Sequence, residues 1–348
     1  MKRLHILILI LILLFSIGLI RAQEQIKVVA TITVYSDIAK YIGGEYVEVT
    51  AIVAGNQDAH FVRPRPSYAV LLNKADLFIE TGLDLELWVP PLVDKSGNPR
   101  IRSGQVGYVA AADGIHMLEI PAVADRSQGD VHIYGNPHIY TSPLNAKIIA
   151  ENIAIGLSKV SPEHEDYFKE RLKDYKSEID RRLFGDELVR ILGSDILQQL
   201  SESNRLIDFL NTKSFKDKKL TEYLGGWMME MLPFRGRKLV GYHKNWIYFE
   251  QLFGLNFIDY VEPKPGIPPS PKHVERLIRN MREQRAQVIL AANYFSDQQV
   301  NEIAHKVGAR AVIVPLSVNG APGVDSYIKL IDYWINHLKV AFAAADAD

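Results

Sequence analysis

The chain has 348 residues, of which 47% are hydrophobic and 23% charged, enough for two domains with cores of ordinary size. Its 40 basic and 41 acidic residues leave a formal net charge of -1, so nothing pulls it electrostatically toward nucleic acid or anionic membranes. The lack of cysteine excludes disulfides, thiolate metal sites, thiol catalysis and a lipid-carrying N-terminal Cys; any metal site must use His, carboxylates, amides or water.

Residues 1–22 read as a secretory signal. Lys2 and Arg3 make a basic start, Ile6 to Ile20 is mostly apolar, and Ala22 can precede the cut. The apolar run falls short of the roughly 20 residues of a membrane span. Ile20 is larger than the usual residue at its position, and an uncleaved anchor is the alternative. The expected mature protein starts near Gln23 and is free in a periplasm.

Residues 23–142 alternate strand and helix at short spacing and predict an N-terminal α/β lobe with a parallel sheet. Ile26 to Ile32 is a buried strand, Val34 to Ile42 has helical spacing, and Val47 to Val53 is a second strand. Gly55 ends that strand, and a loop follows: Asp58-Ala59-His60-Phe61-Val62-Arg63-Pro64-Arg65-Pro66-Ser67. The prolines stiffen it, and Ser67 is the expected N-cap of a helix over Tyr68 to Ala75. Asp76 to Glu80 is a third strand, Leu83 to Val93 an amphipathic segment, and Val106 to Ala110 a fourth strand. Asp113 to Pro137 has no clear period and reads as a long loop carrying His116 and His132.

Residues 143–192 predict linking helices, opened by Ser142-Pro143 and Ser161-Pro162. Tyr167, Leu172, Tyr175, Ile179 and Leu183 form one apolar stripe on a long charged helix suited to bridging two lobes. Residues 193–236 form a helical insert whose pattern is unassignable beyond a helix over Asp195 to Leu210. Residues 237–348 predict a second α/β lobe. Its strands lie near Arg237 to Gly241, Phe257 to Val261, Gln287 to Ala291 and Ala311 to Val314, and its last helix over Asp325 to Phe342. The fold class is therefore α/β: two Rossmann-like lobes with parallel sheets, joined by a long rigid helix.

Three histidines share one structural context. His60 follows a strand of the first lobe, His138 sits in the turn-rich Asn136-Pro137-His138-Ile139-Tyr140, and His243 follows the first strand of the second lobe. Alone, a loop histidine such as His60 is more often a surface or packing residue than a ligand. Together they lie in loops that converge on one cleft if the lobes face each other. Three neutral imidazoles there suit zinc or a similar divalent ion.

The chain also resembles the metal-ion solute-binding proteins of ABC importers, the zinc and manganese type (cluster A-I). The resemblance rests on Val28-Val29-Ala30-Thr31 with Gly43-Gly44, on Asp58-Ala59-His60 through Pro64-Arg65-Pro66-Ser67, and on Lys74-Ala75-Asp76-Leu77 with Thr81-Gly82-Leu83. It continues through Asn136-Pro137-His138, Pro143-Leu144-Asn145-Ala146, Tyr242-His243, Glu262-Pro263 and Pro269-Ser270-Pro271, in order over nearly all of the mature chain. It implies two lobes joined by a rigid helix with a metal cleft between them, modest closure, and delivery of the ion to a membrane permease. Carried over residue by residue, the ligands are His60, His138 and His243, and the cargo is Zn2+ before Mn2+. Manganese-binding and some zinc-binding members place an Asp after the last strand, where this chain has Pro315-Leu316-Ser317-Val318-Asn319. The fourth ligand is left to water, Asp325 or a loop histidine such as His132, although Asp325 reads first as the cap of the last helix.

The remaining candidates have plainer readings. His116 and His132, with Asp125 and Asp130, are either metal-collecting or solvated loop residues. His164, His273, His305 and His337 lie on helices with polar neighbours. Met228-Met229-Glu230-Met231 reads as core, and Arg63 and Arg65 as solvated charge or permease contacts. Two other functions use the same three histidines. One is a zinc hydrolase or hydratase with an open water position, although no His-Glu-x-x-His is present and no general base is evident. The other is a metal-binding surface adhesin. The expected protein is a monomeric binding protein with no enzymatic activity.

Overall fold

The computed structural model describes residues 24–121, 132–264 and 266–347. The expected signal at 1–22 lies outside the described residues, as do Asp125 and Asp130. Among the described residues no helix is long and apolar enough to cross a membrane.

The first lobe is β1 (Ile26–Ala30), α1 (Thr33–Gly43), β2 (Val47–Ala51), α2 (Pro66–Asn73), β3 (Leu77–Glu80), α3 (Val89–Ser96) and β4 (Tyr108–Ala110). Its strands pair in parallel in the order β2-β1-β3-β4, with Val28 beside both Val49 and Leu77. Val28, Val29, Leu77, Phe78 and Ile79 are all buried, because helices cover both faces of a parallel sheet.

Then come α4 (Pro143–Val160), α5 (Glu165–Phe184), α6 (Asp186–Leu192), α7 (Ser194–Glu202), α8 (Leu206–Thr212), the two-residue strands β5 (Ser214–Phe215) and β6 (Lys218–Lys219), and α9 (Gly226–Met231). The second lobe is β7 (Lys238–Gly241), α10 (Ile247–Phe253), β8 (Asn256–Tyr260), α11 (Pro271–Gln284), β9 (Val288–Ala292), α12 (Asp297–Val307), β10 (Arg310–Val314) and α13 (Tyr327–Asp346). Its parallel order is β8-β7-β9-β10. Counted within each lobe, both sheets run second, first, third, fourth, a likeness that sequence shows only as alternation.

The long helix is α5, and it ends earlier than its stripe suggests. Arg171 in α5 donates to the Tyr41 carbonyl at the end of α1, and Arg182 near the helix end pairs with Asp332 of α13. At 1.5 Å per residue, 20 residues cover about 30 Å, enough to reach from lobe to lobe. Gly185 breaks the helix at φ 84°, and a side chain there would collide with Gly225. Between α4 and α5 the Lys147 ammonium donates to Asp180 at 2.7 Å, both side chains almost fully buried.

Three local expectations change. Helix α2 begins at Pro66, and Arg65, extended and without a side-chain bond, takes the N-cap place expected of Ser67. Proline at the first helical position lacks one of the N–H groups that a helix start leaves without an intrahelical partner, and its fixed φ suits the first turn. Pro90 and Pro91 fit only a first turn, so α3 starts at Val89 and leaves residues 83–88 as a loop at the end of β3. Helix α13 is capped by Ser326, whose side chain accepts from the Lys329 N–H, while Asp325 is an exposed partner of Lys329.

The two lobes touch along the strand ends. Thr33 donates to the Val318 carbonyl at 2.6 Å, and Asp37 accepts the Tyr327 N–H at 2.8 Å. Gly55 lies against Val318 and Gly320 so closely that a Cβ would strike the Val318 carbonyl. This approach of the lobes, more than the strand end, is what requires glycine at position 55.

Candidate metal site between the lobes

His60 is held by three constraints. Asp58 Oδ1 accepts both the His60 backbone N–H (2.9 Å) and the Nδ1–H of the His60 ring (2.7 Å). The Trp88 indole donates to the Ala59 carbonyl at 2.8 Å and pins the loop from the α3 side. The prolines at 64 and 66 then lead into α2.

His138 lies just before α4 and is 1% exposed. Its backbone N–H bonds Asn136 Oδ1, while Asn136 Nδ2 donates to the Lys244 carbonyl and Tyr248 donates to the Asn136 carbonyl. These bonds tie the His138 turn to the loop after β7 and to α10. On the ring, Nδ1 is 3.2 Å from Tyr140 Oη and Nε2 is 3.3 Å from Asn245 Nδ2. The Oδ1 atom of fully buried Asn245 has no hydrogen-bond partner among the described residues.

His243 follows β7, and its Nδ1 lies 2.6 Å from Glu262 Oε2, two residues past the end of β8. The strand ends of the second lobe thus supply both an imidazole and the carboxylate behind it. One ring nitrogen from each of His60, His138 and His243 lies within 4.8 Å of the other two.

Electrostatics favour unprotonated nitrogens here. Burial holds His138 well below the ordinary 6.5, and the neighbouring His60, His243 and His132 lower it further. Burial also lowers His243, against the raising effect of Glu262. Burial pushes Asp58 up, but hydrogen bonds and charge from His60 outweigh it and hold its carboxyl below the usual 3.8. Neutral imidazoles backed by carboxylates are what a divalent cation needs, since a proton on the ligand nitrogen competes with the metal.

A family model described as zinc-uptake complex component A, periplasmic, matches residues 28–182 and 211–341. The chain belongs to this family. Members of the zinc-uptake component A family are metal-binding solute receptors of transport systems, not enzymes. The manganese ABC transporter substrate-binding lipoprotein PsaA of Streptococcus pneumoniae is 28% identical over 162 residues, 45% of this chain and 49% of that protein. The chain therefore spans about half the length of this relative. The iron-binding protein YfeA of Yersinia pestis is 25% identical over 326 residues, 92% of this chain and 87% of its own. A zinc-bound ZnuA deletion mutant superposes with TM-score 0.66 at 20% identity, covering 91% of this chain and 98% of that one. A Mn-bound periplasmic metal binding protein from Candidatus Liberibacter asiaticus gives 0.62 at 19%, covering 90% and 98%. These two structures agree with the two-lobed α/β fold.

The structure brings His60, His138 and His243 together and sets other candidates apart. Asp325 pairs with Lys329 on the surface. His116 lines a separate cavity with Ser142, Glu202 and Tyr248. His164 bonds Ser161 and stacks on Tyr46, His273 bonds the Tyr260 carbonyl, and His337 bonds the Tyr333 carbonyl. Met228 and Met231 are core residues, and Glu230 pairs with Lys339. Ser317, on the loop after β10, is bonded to Thr33 at 2.7 Å. Sequence reasoning missed Asp58, Glu262 and Asn245 as partners of the histidines. Asp58, two residues before His60, and Glu262-Pro263 were visible as motif residues, but only the fold gives them a role.

Proposed function

We propose that the chain is an extracytoplasmic receptor that binds one divalent transition-metal ion on His60, His138 and His243 and hands it to a membrane ABC importer. The observation that carries this reading is the convergence of three ring nitrogens from three separate segments, with carboxylates ordering two of the rings. Zinc is the preferred cargo. The inner donors are imidazoles, which suit zinc, whereas manganese prefers carboxylate oxygens. Here Asp58 and Glu262 stand behind the rings and bond Nδ1. The relatives' names include manganese, iron and zinc, so the ranking of zinc rests on this donor set. In this reading residues 1–22 direct export and the receptor works as a monomer.

The test is elemental analysis of the purified protein, followed by titration of the metal-stripped form with zinc and with manganese. One zinc per chain, bound far more tightly than manganese, is the expected result, with severe loss of zinc binding in His60→Ala and His243→Ala. Tight manganese with weak zinc would overturn the choice of metal, and undiminished zinc affinity in both variants would overturn the site.

A further inference from the structure

Beside the three-histidine cluster stands a fourth imidazole. His132 Nε2 lies 3.2 Å from His60 Nε2. His132 Nδ1 lies 2.9 Å from Asp84 Oδ1, and the other oxygen of Asp84 accepts the Ile133 N–H at 3.0 Å. Both side chains are mostly enclosed, His132 at 11% and Asp84 at 13% exposure. Asp84 belongs to the loop after β3, the segment that Pro90 and Pro91 keep out of α3. One loop of the first lobe therefore aims a second imidazole at His60 from across the site.

The tautomers decide what this contact is. A carboxylate accepts only, so Nδ1 of each ring carries the hydrogen, donated to Asp58 in one case and Asp84 in the other. In two neutral imidazoles both Nε2 atoms then present lone pairs. Two lone pairs 3.2 Å apart make no hydrogen bond; they repel unless a cation sits between them. The spacing is that of two ligands on one tetrahedral ion, since Zn–N bonds of about 2.0–2.1 Å place neighbouring nitrogens about 3.3 Å apart. His132 also carries the mark of a metal-bound histidine, a carboxylate on its other nitrogen.

We propose that His132 is the fourth protein ligand of the ion, with Asp84 as its positioning residue: its Nε2 touches His60 but stands outside the group of mutually close nitrogens formed by His60, His138 and His243, and it swings in on binding, so that the site closes on four imidazole nitrogens and holds no ligand water. This rests on the three-histidine reading above. A fourth neutral nitrogen further separates the site from oxygen-rich, manganese-type coordination. It also leaves the bound ion without the open position of a catalytic zinc.

The experiment uses the purified protein stripped of metal and loaded with cobalt(II), whose visible absorption is intense when tetrahedral and shifts with the donor set, alongside zinc competition against a chelator. Wild type, His132→Ala, Asp84→Asn, His60→Ala and His243→Ala are compared, with melts of the metal-free forms to establish folding. His132→Ala is expected to lose at least the upper end of the 10–100-fold range seen for removal of an outer partner, with a shifted cobalt spectrum that added imidazole restores. Asp84→Asn is expected to lose about 10-fold with the spectrum retained. If His132→Ala keeps wild-type zinc affinity and cobalt spectrum while His60→Ala and His243→Ala lose binding, the fourth ligand is wrong and the three-histidine site stands. If His60→Ala and His243→Ala also bind normally, the underlying site is wrong as well.

Discussion

Replacing Asp58 by Asn removes a charge from behind His60 and little else. Both bonds from His60, the backbone N–H at 2.9 Å and the ring Nδ1–H at 2.7 Å, end on the same atom, Asp58 Oδ1. The amide oxygen of Asn takes that place with two donors holding it, so the ring keeps its tautomer and aim. What disappears is the carboxylate charge, whose coupling to His60 is strong enough to overcome burial and hold the Asp58 carboxyl below its usual range. That charge raises the basicity of the ligand nitrogen. Loss of such an outer partner costs 10–100-fold in metal affinity. With the hydrogen bonds kept, the lower end applies, about 10-fold or about 1.4 kcal/mol. Asp58→Ala loses the bonds as well and moves toward the upper end, about 100-fold. The assay is zinc competition against a chelator at pH 7.5, with thermal melts of the metal-free variants. If Asp58→Asn and Asp58→Ala both bind within twofold of wild type, the carboxylate does not prepare His60 and the argument fails.

Three further outcomes follow from buried groups. Burial and the charge of Glu86 raise Glu80 to about 7 from 4.5, against a bond from Tyr108, so its ionisation destabilises the fold increasingly between those values and fully above pH 7. Glu80→Gln is therefore expected to gain up to about 3 kcal/mol over wild type at pH 8 and to lose the advantage near pH 4.5 in denaturant titrations; a difference independent of pH would contradict this. Because burial holds His138 and His243 below 6.5, zinc affinity is expected to stay nearly level as pH falls from 8 to about 6.5 and to drop below that, a profile measurable by calorimetry at stepped pH. Lys147→Met strands the Asp180 carboxylate between α4 and α5 and is expected to cost about 3–5 kcal/mol, most of it recovered in Lys147→Met/Asp180→Leu. A urea titration showing under about 1 kcal/mol for the single variant would mean that water reaches Asp180.

Much of the frame was legible because parallel strands buried on both faces announce themselves as apolar runs. The strands expected at Arg237 to Gly241 and at Gln287 to Ala291 fall within one residue of Lys238–Gly241 and Val288–Ala292. His60, His138 and His243 were legible for a related reason: each sits where a strand or turn delivers a side chain to the crevice. The partners were not. Glu262 reaches His243 because β8 pairs beside β7, and Asp84 reaches His132 from the loop after β3, which also meets the His60 loop where Trp88 donates to the Ala59 carbonyl. Pairing order is a tertiary fact, and the shared strand order of the two lobes was hidden with it. The breaks at Gly185 and at Ser203-Asn204, where α7 gives way to α8, were missed because a helical stripe continues across both. At Gly185 it is the contact with Gly225, distant in sequence, that fixes the end of the helix.

The arrangement also bears on why the lobes are braced together. A site made from loops of both lobes is only as exact as the contact between them. Asp37 accepting Tyr327, Tyr327 donating to the Tyr140 carbonyl and Thr33 donating to Val318 all cross that contact close to the histidines. Tyr140 in turn meets the His138 ring, so α13 of the second lobe is linked to that imidazole through two hydrogen bonds. Asn136 does the same from the other side, joining the His138 turn to Lys244, next to His243. Binding to such a site spends little on ordering the ligands, because side chains held by charge-assisted bonds have already lost their rotamer freedom. The fold therefore carries the entropic cost of the site before any ion arrives. Under the proposed receptor role this favours tight capture, and it leaves release to whatever loosens the contact between the lobes.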